Sequence, residues 1–152
     1  MIDRHQARIL ALQSLCQYEA LGAEFLAQLD DFLADDNPTT AVRDYARRLV
    51  FETRDRMAEL DAMLQQVADN WDLKRMAPVD RNILRVATCE MKTQANIPAK
   101  VVITEAVEIA KAFGAAESPA FINGILDAVL KKGLLSGAGA ESPAVAGDPP
   151  TA

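Results

Sequence analysis

The chain contains one histidine, two cysteines and one tryptophan, and aromatic residues fill only 5% of its 152 positions. A single histidine excludes a multi-histidine metal site, and its place at His5, in a first turn that frays, leaves a histidine-based triad without an ordered base. Cys16 and Cys89 have no CxxC pair or Cys/His cluster around them, which argues against a zinc site and a disulfide framework and suits a reducing cytoplasm. No apolar run approaches the ~18 residues of a membrane span. The opening Met-Ile-Asp-Arg-His-Gln also lacks the charged-then-apolar order of a secretion signal, so the expectation is a soluble cytoplasmic protein with no membrane partner. Neither a P-loop nor a GxGxxG motif occurs. Glu105 and Glu108 lack the Glu-x-x-His partners that a di-metal bundle needs, so neither an enzyme nor a cofactor is expected.

Glycine and proline are scarce except at one end. Of seven of each, four glycines and three prolines fall between Gly133 and Ala152, a Gly/Ala/Ser/Pro tail too poor in large apolar groups to offset its ordering entropy and therefore expected to be disordered. In residues 1–132, Gly22, Pro38, Pro78, Pro98, Gly114 and Pro119 separate segments whose apolar residues recur at three and four, so they punctuate helices. The periods predict helices over about 4–20 and 23–34. After Pro38, with Thr40 as N-cap, a run from Val42 to Val67 reads as one helix or two. A further helix follows Pro78 through Val79, Ile83, Val86 and Glu90/Met91. Another starts at Pro98 and ends at Gly114, and the last opens with Ser118 as N-cap and Pro119 as N1. No segment alternates at period two, so the expectation is an all-α fold of six or seven helices with a seam near 70–78.

Net charge is −6, a balance that ordinarily disfavours nucleic acid. All of it can be assigned to the base-free stretch Glu19–Asp36, which leaves sixteen bases against sixteen acids elsewhere. Arg4, His5 and Arg8 can therefore still form a local basic face. Arg43, Arg47, Arg48, Arg54 and Arg56 are interleaved with acids and read as surface pairs. Both cysteines fall on apolar helix faces and read as inert core thiols. Arg85 is expected to pair with Glu90 or Glu105, and Gly124 to permit close helix approach.

Several motifs carry a resemblance. Arg4-His5-Gln6-Ala7-Arg8 opens an apolar helix; Trp71-Asp72-Leu73 precedes Arg75-Met76; and Val79-Asp80-Arg81 precedes Ile83-Leu84-Arg85-Val86 and Glu90. Ile97-Pro98, Lys100-Val101, Ile103, Glu105-Ala106-Val107-Glu108-Ile109-Ala110-Lys111 and Phe113-Gly114 lead to Phe121-Ile122-Asn123-Gly124-Ile125-Leu126-Asp127. This pattern, densest from Trp71 to Leu130, resembles the NusB family of transcription antitermination factors.

The resemblance implies two packed three-helix subdomains, here about 1–70 and 78–132 of one domain, followed by the tail 133–152. It implies a non-enzymatic protein that binds the boxA element of RNA together with the small-subunit ribosomal protein NusE and joins the RNA polymerase elongation complex during ribosomal RNA transcription. Carried over by position, the RNA surface is Arg4, His5, Arg8, Glu117 and Phe121, and the NusE contact is Asp80 and Tyr18, with Arg75 beside them. Guanidinium groups that neutralise phosphate and an aromatic that stacks on a base suit single-stranded RNA. The residues alone also allow a solvated first turn for Arg4 and Arg8, a core position for Phe121 and a dipole-favoured N-terminal acid for Asp80. His5 and Gln6 stand where the family commonly has basic residues, and Cys16 where it often has an aromatic. The alternative is a helical interaction adaptor, or a homodimer, with little RNA affinity of its own.

Overall fold

The computed structural model describes residues 3–136, and within them every regular element is helical. Helix α1 (Arg4–Leu21) starts where the Asp3 carboxylate accepts from the Gln6 N–H at 3.0 Å. It stops at Gly22, whose φ of +82° suits glycine. The single helix expected over 23–34 is instead a 3₁₀ turn (Ala23–Gln28) running into a short α2 (Leu29–Ala34). Phe25, Leu29 and Leu33 still reach the core, with Phe25 edge-on to Phe32.

Thr39, not Thr40, caps α3 (Thr40–Asp55): its hydroxyl accepts from the Val42 N–H at 3.2 Å. The open question of one helix or two resolves as two, because the chain breaks at Arg56 before α4 (Met57–Val67). A 3₁₀ turn (Leu73–Arg75) then leads to α5 (Pro78–Thr93), with proline in its first turn. Ten residues of α5 are buried, and it packs against α1, α3, α4, α6 and α7, so it is the pillar of the bundle. Helices α6 (Ala99–Phe113) and α7 (Ser118–Lys131) complete it as an antiparallel hairpin. Ser118 is the first residue of α7 and not its cap; its hydroxyl accepts from the Ala115 N–H at 2.9 Å and ties the hairpin turn.

One contiguous core runs from Ala7 in α1 to Val129 in α7 and so spans the seam. Leu134 and Leu135 rest on it within a final 3₁₀ turn (Leu134–Ser136), so packed chain continues past residue 132. The remainder of the tail, 137–152, lies outside the described residues. Burial raises both thiols above their ordinary pKa, Cys89 to about 11; Cys89 lies in the core as expected, whereas Cys16 is only half-buried. The expectation for Gly124 is corrected: it is exposed, and a Cβ there would have nothing within 4 Å.

Candidate RNA and partner interface

The first turn of α1 divides its three basic side chains between surface and interior. Arg8 was expected on the surface, but its helix face turns inward, where the fully buried Glu90 of α5 receives its guanidinium. Nε and Nη2 of Arg8 donate to the two Glu90 oxygens at 2.7 and 2.9 Å, and the Tyr45 hydroxyl donates to the same carboxylate at 2.5 Å. The third Arg8 nitrogen, Nη1, reaches Glu105 of α6 at 3.3 Å. Burial would lower the Arg8 pKa, but the hydrogen bond and charge of Glu90 outweigh it and raise the value. Burial, then the hydrogen bond and charge of Glu90, push the Tyr45 phenol up as well. Arg8 is thus an interior charge that joins α1 to α5 and α6, which corrects its placement as a solvated phosphate contact.

Arg4 and His5 remain at the surface above this cluster. The Arg4 guanidinium lies 5.5 Å from the centroid of the Tyr45 ring, and its Nε is buried with no hydrogen-bond partner. His5, 46% exposed, places Nδ1 2.8 Å from the Glu105 carboxylate that Arg8 also touches. Arg4 is therefore seated on an aromatic whose hydroxyl is anchored to a buried anion, and its terminal nitrogens make no hydrogen bond or ion pair among the described residues.

The carboxylates expected to hold Arg85 are occupied by Arg8, which corrects that pairing. Arg85 instead grips Asp61 of α4 through two bonds of 2.8 and 2.9 Å and reaches Glu19 of α1 at 3.0 Å. Glu19 also accepts from Arg81 and Asn82, while Arg81 Nη1 donates to the carbonyls of Leu73, Lys74 and Met76. Burial would push the Glu19 carboxyl up, but the Arg81 and Asn82 hydrogen bonds and the Arg81 and Arg85 charges together hold it below its ordinary value. This knot brings the end of α1 to the first turn of α5. Tyr18, half-buried, and Asp80, whose Oδ1 is buried without a partner, consequently lie at the same end of the bundle.

At the start of α7, Glu117 is exposed and Phe121 is half-buried, its ring 5.2 Å from that of Trp71 in an edge-on contact. Trp71 is 57% exposed, and Arg75, four residues on, is exposed too; its backbone N–H donates to the Asp72 carbonyl at 2.8 Å, while its guanidinium makes no ion pair or hydrogen bond among the described residues. Phe121 and Arg75, expected in different interfaces, thus flank one tryptophan. The sequence reading missed Tyr45, Glu19 and Trp71 as organisers of these surfaces. It had one available signal for the interior anion: Glu90 continues the apolar face set by Val79, Ile83 and Val86. Among the described residues no group of three or more His, Cys, Asp or Glu side chains could hold a metal, and no helix is long and apolar enough to cross a membrane.

Residues 5–131 match the NusB family. The chain is 42% identical over 129 residues to the transcription antitermination protein NusB of Desulforamulus reducens, an alignment covering 85% of this chain and 90% of that protein. It is 40% identical over 137 residues to the protein of the same name from Geotalea daltonii, covering 85% and 94%. Among solved structures it superposes on T. maritima NusB with a TM-score of 0.73 at 32% identity, covering 85% of this chain and 91% of the other. It shares its fold, at 22% identity and a TM-score of 0.76, with a chain in the crystal structure of the antitermination factors NusB and NusE in complex with dsRNA, where the coverage is 85% and 96%. With the match extending from the first turn of α1 to the end of α7, the chain belongs to the NusB family.

Proposed function

We propose that this protein is a transcription antitermination factor that binds boxA-type single-stranded RNA together with NusE and acts, in the cytoplasm, on the RNA polymerase elongation complex during ribosomal RNA transcription. Membership of the family and the names of its relatives support the reading. The observation that carries it is Arg4: a guanidinium held over Tyr45 at the surface, beside His5, is a pre-positioned phosphate contact. Phe121, with Glu117 in the preceding turn, supplies the aromatic surface for bases. Tyr18 and Asp80, at the junction of α1 and α5, form the NusE contact, and residues 1–70 and 78–132 are its two helical halves.

Withdrawal of Arg8 from the surface favours a division of labour in which RNA affinity is low until NusE contributes. The same observation, with the net charge of −6, is what an adaptor or homodimer with little RNA affinity would also present. Titrating labelled boxA-type RNA against the protein with and without NusE separates the two. Tight binding to the pair is the expected result, and absence of binding in both arms overturns the RNA reading.

A further inference from the structure

The segment between α4 and α5 is irregular, yet it is firmly held. The Gln65 amide of α4 donates to the carbonyls of Trp71 at 2.7 Å and Ala68 at 3.3 Å, and accepts from the Leu73 N–H at 3.0 Å. Asp72 caps the 3₁₀ turn by accepting from the Lys74 N–H at 3.0 Å, and Arg81 takes up three carbonyls of the same turn. Backbone fixed this way presents Trp71 in one orientation, an edge-on contact with Phe121 on one side and more than half of its surface open. Exposing a large indole costs stability, since burial would have returned hydrophobic free energy. The open part of the ring borders a basin of about 610 Å³ lined by Gln65, Asp69, Asn70, Trp71, Asp72 and Arg75.

The polar lining of that basin is unlike a phosphate site. Two carboxylates against one arginine give it a net negative charge, which repels phosphate but suits a base edge rich in N–H donors. Guanine carries such donors at N1 and N2 on one edge and the acceptor pair O6/N7 on the other. An aspartate can accept from the first edge, Arg75 can donate to the second, and Trp71 offers a face for stacking. Uracil presents one donor, and adenine presents no adjacent donor pair. We infer that the basin beside Trp71 binds an unstacked guanine base of single-stranded RNA, with Arg75 as its specificity-determining residue. The inference rests on the RNA-binding reading and adds to it a base preference and a site.

Trp71 is the sole tryptophan, so fluorescence excited selectively at the red edge of the indole band, where Tyr18 and Tyr45 do not absorb, comes from this basin. The probes are the trinucleotides UGU, UIU, UAU, UCU and UUU, where inosine removes only the 2-amino group. The expected result is saturable quenching by UGU, with the others roughly tenfold weaker or worse. Arg75→Ala should erase the preference, with circular dichroism unchanged. Anisotropy of a longer labelled RNA is followed in parallel to read binding at the Arg4 region. Equal quenching by all five trinucleotides would mean sequence-tolerant stacking and overturns the proposal. Both measurements are made with and without NusE: binding by anisotropy with no quenching overturns the guanine site and leaves the RNA reading standing, whereas no binding by either measure in either arm overturns both. Quenching by NusE but by no RNA would make the basin a protein contact and likewise reject it.

Discussion

Arg8 and Glu90, 82 positions apart in the sequence, meet in two parallel hydrogen bonds of 2.7 and 2.9 Å at the point where α1 crosses α5. The carboxylate is wholly enclosed and has Tyr45 as its third donor, so its charge is balanced inside the bundle. Above it lies Arg4, held by the other side of the same Tyr45. Interior pairing and surface display are therefore consecutive layers of one cluster.

Breaking the interior pair should be costly, because one partner left behind is an uncompensated buried charge. Glu90→Gln is expected to lower the unfolding free energy by about 3–5 kcal/mol. Replacing the whole cluster with apolar groups (Arg8→Met, Glu90→Leu and Tyr45→Phe together) should cost far less, because no charge or hydroxyl is stranded. Urea unfolding of both proteins decides it; a Glu90→Gln loss no larger than that of a surface substitution contradicts the account.

Arg4 should act on RNA and Arg8 on folding. Arg4→Ala should make the log–log salt slope for single-stranded RNA shallower by about 0.7, the contribution of one phosphate, with helicity intact. Tyr45→Phe keeps the ring beneath Arg4 and should keep the slope. Arg8→Ala should instead lower stability, and an Arg4→Ala slope equal to that of the unmodified protein would remove Arg4 from the phosphate contacts.

The Glu19 knot predicts the acid limb of stability. Its carboxyl sits below the ordinary glutamate value in the folded protein, so its contribution is complete above the unfolded value and lost as pH falls through the folded one. From about pH 5 downward Glu19→Gln should therefore lose less stability than the unmodified chain, although it begins lower at neutral pH. Parallel acid limbs in thermal melts across this range would show that Glu19 ionisation contributes nothing.

The two glycines of the last helical hairpin show where the sequence was legible. Helix number, type and most ends could be read from period and punctuation, because those are local: Pro78 and Pro98 stand at the starts they mark. Partner choice was not local. Arg85 and Arg8 both sit among apolar neighbours, and nothing in spacing says which of Glu90, Glu105, Asp61 and Glu19 each will meet. Trp71 was visible as a motif residue, but its exposure depends on Gln65, in the last turn of α4, fastening the turn through its side-chain amide, which periodicity does not reveal.

Gly114 and Gly124 make the same point quantitatively. Gly114 ends α6 with an ordinary φ of −95°, so conformational freedom is not what requires it. A Cβ there would fall 2.7 Å from both Cβ and Oγ of Ser118, which is buried and bonded to Ala115 and so cannot turn aside. Gly114→Ala should destabilise by about 1–3 kcal/mol through overpacking. Gly124 lies inside α7 with open space where its Cβ would be, so Gly124→Ala should stabilise by up to about 1 kcal/mol through helix propensity alone. Thermal melts of the two variants should move in opposite directions, and a Gly124→Ala melting temperature below that of the unmodified protein would mean that this face of α7 is covered.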